Sequence, residues 1–341
     1  MMMPLNLGSL PTSVGVVMEV KMNSKGGSDR HKALVAGSGG EFPSFLPKEV
    51  EKIKDPFARS LAKRIQRLPV QMGFPEKCIM SSCIKPVIQS KHSPVVLLHC
   101  FDSSCLEWRC SYPLLEEAGL EAWAVDVLGW GFSDLASKRY HLYQLWKSYI
   151  KRPMILVGPS LGASVAMDFT VNYPEAVEKL ILINPNAYAE GTRRLAKLPP
   201  VIAYAGVSLL KSIPLRLYAN ALAFNGTSFH TILDWTNVGR LHCMLPWWKD
   251  ATVSFMSSGG YNVGSLIKQV KQRTLIICGE NDQIVNYKLA VKLHCELPNA
   301  IMRQVADSGH LPHVDKPNCV ANLIAGFALC DQPSKGLLIK K

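Results

Sequence analysis

From residue 94 onward, short unbroken apolar runs alternate with longer segments of helical period. Val95-Val96-Leu97-Leu98 is the first such run, and a helix is predicted from about Leu106 to Glu117. Ala122-Trp123-Ala124-Val125 follows, then a helix over roughly 137–150, then Met154-Ile155-Leu156-Val157 and a helix to about Asn172. Leu180-Ile181-Leu182-Ile183, Thr274-Leu275-Ile276-Ile277 and Ala300-Ile301-Met302 complete the series. Strands that are apolar at every position are covered on both faces, so the pattern predicts a mostly parallel, doubly wound α/β sheet. Sheets of this kind place ligands outside the carboxyl ends of their strands.

Residues 185–270 interrupt the rhythm. The segment is too long for a plain connection, and it carries Tyr204, Leu209, Leu217, Trp235, Trp247 and Trp248. It is expected to be a helical cap inserted over the active end of the sheet. The core is thereby divided into residues 91–184 and 271–330. Upstream, residues 1–44 lack periodicity and read as disordered, with a weak transit-segment character. Over residues 45–90, Asp55-Pro56 reads as N-cap and first turn of a short helix. Phe57, Leu61, Ile65 and Leu68 would form its apolar stripe, with Arg59, Lys63, Arg64 and Arg67 on the other side. Residues 331–341 form a basic tail.

The formal charge is +12 over 341 residues, with 48% hydrophobic and 19% charged positions. This is the composition of a globular core, not of a disordered chain. A large share of the basic excess lies in the first ninety residues. It suits a peripheral contact with an anionic membrane through the Arg59 helix, or simply a solvated arm. No recognised module points to nucleic acid. Ten cysteines occur without zinc-type spacing, so no metal site is expected. They are expected to be thiols, with Cys278, Cys295 and Cys319 in core elements. No uncharged apolar run reaches the length of a spanning helix.

Chemistry concentrates at Gly158-Pro159-Ser160-Leu161-Gly162, between the Met154 strand and the helix after it. A strand-turn-helix of the form Gly-x-Ser-x-Gly lifts the serine hydroxyl above the sheet in a strained conformation, and glycine is needed on both sides. A serine needs a base, and the base needs an orienting carboxylate. Asp282 follows the Thr274 strand directly. His310 follows the Ala300 strand in Ser308-Gly309-His310. Asn184, at the end of the strand after the elbow helix, cannot supply the charge. His313 is expected near the surface or in support, and Glu280 as a structural neighbour. The oxyanion donors are expected to be the backbone N–H groups of Leu161 and Phe101. Gly129 and Gly131 in Asp126-Val127-Leu128-Gly129-Trp130-Gly131 allow a tight turn beside the site. Cys100, Asp102, Pro159, Trp247 and Trp248 are expected next to the substrate.

Together, His99-Cys100-Phe101, Gly129-x-Gly131-x-Ser133, Gly158-x-Ser160-x-Gly162, Asp282 and Gly309-His310 resemble the α/β-hydrolase superfamily over about residues 75–328. The runs 45–50, 101–109 and 128–134 are closer to a plant plastid group related to chlorophyll dephytylases and pheophytinases, which includes a member linked to tocopherol supply. The resemblance implies a chloroplast serine hydrolase acting on a lipophilic ester, such as a chlorophyll-type prenyl ester, without a cofactor. Acyl transfer on the same triad and a non-catalytic lipophilic-ligand-binding protein are the alternatives. Three features depart from the family pattern: Cys100 where glycine is usual, Pro159 where His or Asn is common, and a short segment after Asp134.

Overall fold

The computed structural model describes residues 41–72, 78–134, 141–188 and 199–330. The expected transit segment, the short segment after Asp134 and the basic tail fall outside these, apart from residues 41–44 at the edge of the first.

Eight strands form one sheet: β1 (Ile65–Gln71), β2 (Cys78–Ile84), β3 (Val95–Leu97), β4 (Ala122–Val125), β5 (Met154–Pro159), β6 (Val177–Ile183), β7 (Arg273–Gly279) and β8 (Ala300–Val305). Their spatial order is β1-β2-β4-β3-β5-β6-β7-β8. Pairing is parallel from β4 to β8 and antiparallel at β1–β2 and β2–β4. The apolar runs divide by alternation, as strand geometry requires. Val95, Leu97, Ile155, Val157, Ile181 and Ile183 feed one core. Val96, Leu98, Leu156, Leu180, Leu182 and Ile276 feed the other.

Helices α1 (Pro56–Ala62), α2 (Tyr112–Glu117) and, later in the chain, Pro317–Leu329 supply Leu61, Tyr112 and Ile324 to the first core. Helix α3 (His141–Leu145) continues through a π turn to Ile150. With α4 (Leu161–Asn172) it covers the second face, using Leu145, Ala166 and Met167. Between β6 and β7, the described residues form the α-helices α5 (Pro200–Leu210), α6 (Ile213–Ala223), α7 (Phe229–Gly239) and α8 (Trp248–Ser257). Helices α9 (Tyr287–Glu296), α10 (Pro312–Asp315) and α11 (Pro317–Leu329) follow.

Three expectations are corrected. The Arg59 helix stops at Ala62, and Ile65 and Leu68 belong to β1. Spacings of three and four fit the helix, but Pro69 removes a donor and disfavours helical backbone at Leu68; pairing with β2 then wins, Ile65 opposite Ile84. The basic stripe is dispersed with it. Arg64 makes a two-pronged ion pair with Glu116, Arg67 donates to the Phe132 carbonyl, and Arg59 donates to those of Glu51 and Ile53. The helix expected from Leu106 to Glu117 is split into a 3-10 turn (Cys105–Trp108) and α2, whose first turn holds Pro113, a residue with no N–H to carry a continuous helix; between the two, Arg109 pairs with Asp55 at 2.6 Å. Of the cysteines placed in the core, Cys278 is buried but Cys295 and Cys319 are exposed; all ten are thiols.

Candidate active site

Strand β5 hands the chain to α4 through Ser160, whose φ of 48° lies in a region non-glycine residues seldom enter. Two close approaches enforce the turn. A Cβ on Gly158 would collide with the Gly162 carbonyl, and one on Gly162 would lie 2.6 Å from the His99 oxygen. The Ser160 N–H donates to the Ile183 carbonyl at 2.8 Å, which pins the strained residue to β6. Leu161 opens α4, so its N–H has no carbonyl within the helix to meet. Pro159 closes β5 and does not line the cavity beside Ser160.

Asp282 and His310 arrive from the loops after β7 and β8. The His310 Nδ1 and Asp282 Oδ2 atoms are 2.8 Å apart. The other carboxylate oxygen of Asp282 accepts the N–H groups of Ile284 and Val285 at 2.7 and 3.0 Å, which fixes its rotamer. The His310 main chain is held from two sides. Its N–H donates to Ala223 of α6 at 2.7 Å, and its carbonyl accepts Asn184 Nδ2 at 2.8 Å. Asn184, at φ 38°, also donates to the Gly309 carbonyl and accepts from the Gly279 N–H. Its side chain therefore ties the ends of β6 and β7 to the histidine loop, a role that the absence of a charge gave no hint of. Glu280 accepts the Asp307 N–H, as a structural neighbour would.

The loop after β3 brings Phe101 to the same cavity. Behind it lies a buried network. Glu107 accepts the Cys100 N–H, the Cys100 thiol at 2.8 Å, and pairs with His313 Nε2 at 3.0 Å. Burial alone would raise the Glu107 carboxyl. The His313 hydrogen bond and charge outweigh that, with help from His99 and Cys100, and bring it to about 2. Burial, then the neighbouring Glu107, pushes the Cys100 thiol well up. His313 is buried, its ring tilted against that of Trp108 with centroids 4.5 Å apart. Gly129 and Gly131 sit at φ 93° and 62°. A side chain at Gly131 would strike Asp126, whose carboxylate gathers the N–H groups of Cys105 and Phe132 and the Ser82 hydroxyl.

Asp102, also at positive φ (53°), ties this loop to the helices above. It accepts Arg216 of α6 at 2.5 Å and Trp248 Nε1 of α8 at 2.7 Å, and lies 2.9 Å from His242 Nε2. Burial opposes its charge, but Arg216 and His242, then Trp248, leave its carboxyl below the usual range. Asp102, His242 and Cys243 could in principle gather a metal ion. Arg216 Nη2 already donates to both the Asp102 carboxylate and Cys243 Sγ, so the guanidinium takes the cation's place.

Ser160, His310, Cys100, Phe101, Asp102 and Leu161 line one cavity of about 380 Å³. Its remaining wall is mostly apolar, with Leu210, Leu215, Phe224, Trp235, Phe255 and Met256 from the segment between β6 and β7. Trp247 and Trp248 are not among the lining residues. Trp248 is buried against Asp102, and Trp247 lies by Arg67, whose guanidinium carbon is 5.9 Å from its ring. Tyr204 and Leu209 face outward. The aromatic content of the segment was legible in sequence; which side chains point inward was not.

Comparison with known proteins places the fold. The alpha/beta hydrolase family profile matches residues 95–321. The alpha/beta hydrolase domain-containing protein VTE7 of Arabidopsis thaliana is 64% identical over 310 residues, covering 88% of this chain and 94% of that protein. The uncharacterized hydrolase YugF of Bacillus subtilis is 24% identical, over 68% of this chain and 89% of its own. Among solved structures, a thermophilic esterase from Thermogutta terrifontis superposes with a TM-score of 0.63 at 19% identity, over 77% of this chain and 97% of its own. The esterase EaEST of Exiguobacterium antarcticum gives 0.64 at 16%, over 77% and 99%. Both share the fold. The chain belongs to the alpha/beta hydrolase family and is a hydrolase related to a plant member of it.

Proposed function

We propose that the chain is a serine esterase whose substrate is a lipophilic carboxylic ester. The observation that carries this reading is the meeting of three things in one cavity: a strained serine at a helix N-terminus, a histidine oriented by a carboxylate, and an apolar wall. In the reaction, His310 Nε2 takes the Ser160 proton as Oγ attacks the ester carbonyl. Asp282 holds the opposite ring nitrogen and stabilises the imidazolium. The Phe101 and Leu161 N–H groups receive the developing oxyanion. His310 then protonates the departing alkoxide, and water, activated by the same imidazole, releases the acid. The resemblance carried by the sequence motifs supports a chloroplast setting and a prenyl-type ester, and the Arabidopsis thaliana relative is in keeping with a plant protein.

The test is turnover on a series of soluble p-nitrophenyl esters of rising acyl length. Burial of each methylene contributes about 0.8 kcal/mol, so kcat/KM should rise roughly fourfold per methylene until the cavity is filled. Ser160→Ala should abolish turnover, and Asp282→Asn should lower it about 10⁴-fold. A preference for acetate over longer esters, or unchanged turnover in Ser160→Ala, contradicts the reading.

A further inference from the structure

Among the described residues, thirteen large hydrophobic side chains are exposed, and seven of them fall between Val201 and Tyr218 on α5 and α6. Val201 is 81% exposed, Leu209 64% and Tyr218 62%. Scattered exposed apolar residues need no explanation, but a concentration of this kind marks an interaction surface. Ala203 and Val207 are the residues of α5 that turn inward, packing with Trp248 and Val253. No acidic residue occurs from Pro200 to Ala223, where Lys211 and Arg216 are the charges. The helices are bent by 76° at their junction. Each has eleven residues, well short of the roughly twenty needed to cross a bilayer. Leu210, Leu215, Ala219 and Asn220 of the same two helices line the cavity that holds Ser160.

We infer that the exposed side of α5 and α6 docks on an anionic lipid surface, setting the cavity wall against the membrane. Only the purpose of this contact, delivery of a lipophilic ester to Ser160, rests on the function proposed above. An amphipathic helix pair binds such an interface through its buried apolar area, with a further contribution from basic residues. Charge disfavours a second copy of the chain as occupant. Two such faces would bring together helices that carry Lys211 and no acid of their own, with Asp250 of α8 beside them as the acceptor of the Tyr204 hydroxyl, on chains of net charge +12. The arginines of the Arg59 segment, spent on Glu116 and on main-chain carbonyls, are not needed for the contact.

The experiment is co-sedimentation of the full chain, carrying Ser160→Ala to stop turnover, with vesicles of phosphatidylcholine and of phosphatidylcholine mixed with phosphatidylglycerol. The chain should bind the mixed vesicles more tightly, and salt should reduce that preference. Combining Val201→Ser, Ile202→Ser and Leu209→Ser should weaken binding roughly tenfold or more, and Tyr218→Ser on α6 should weaken it independently. In a chain retaining Ser160, these exposed changes should leave turnover of a soluble short ester unaltered. That control separates loss of docking from loss of fold or of the catalytic reading. The inference is overturned if the chain does not sediment with either vesicle, or if the triple variant binds as well as its parent. It is also overturned if the parent elutes as a dimer that the triple variant dissociates, since the face then belongs to a second copy.

Discussion

Glu107 shows how much of the site rests on single buried side chains. It lies under the loop after β3, holds Cys100 through both main chain and thiol, and pairs with His313. Its carboxyl falls from 4.5 to about 2 because His313, with His99 and Cys100, outweighs the cost of burial. A depressed carboxyl contributes stability in full above its unfolded value, and loses it as pH falls through the folded one. Glu107→Gln should therefore lower stability by about 3 kcal/mol at neutral pH. The difference from the parent should close between about pH 4.5 and pH 2. Denaturant unfolding of both chains across that range checks this. A gap that stays constant down to pH 2 would mean that shape, not charge, is what Glu107 contributes. In sequence, Cys100 was visible as a departure beside the expected oxyanion donors, whereas the glutamate that occupies its thiol lies seven positions on and carries no motif.

Between elements, the loop after β3 and the helices above it are fastened at Asp102. Arg216 from α6, Trp248 from α8 and His242 from the turn before it converge on one carboxylate. Asp102 adjoins Phe101, so tension on the clamp moves the proposed oxyanion donor. Removing one partner of a buried ion pair leaves the other uncompensated, at a cost of about 3–5 kcal/mol. Asp102→Asn and Arg216→Gln should each lower the melting temperature and the turnover number of a short ester. Combined, they should cost less than the sum of the two, because they break the same contact. Additive losses in a double-mutant cycle would show that the two residues act separately. Asp102 was expected beside the substrate, and it does line the cavity. Its partners were hidden because they lie more than a hundred positions away. The same limit explains Trp247 and Trp248: the sequence marks them as large and apolar, but only packing decides that they turn from the cavity.

For the whole molecule, the parallel core was legible because its six strands each carry an unbroken apolar run, which few arrangements other than a doubly wound sheet can bury. Ser160, Asp282 and His310 were legible for a related reason. Each follows a readable strand, and chain order puts strand ends together. The antiparallel β1–β2 pair was not, since Ile65 and Leu68 satisfy helical and extended periods alike and only the partner strand decides. The strained serine at this convergence is the proposed nucleophile. Labelling with a fluorophosphonate, followed by peptide mass spectrometry, measures it most directly. One adduct is expected, on Ser160, formed at a rate that collapses in His310→Ala and falls steeply in Asp282→Asn. Ester hydrolysis that persists with Ser160 unmodified would contradict it.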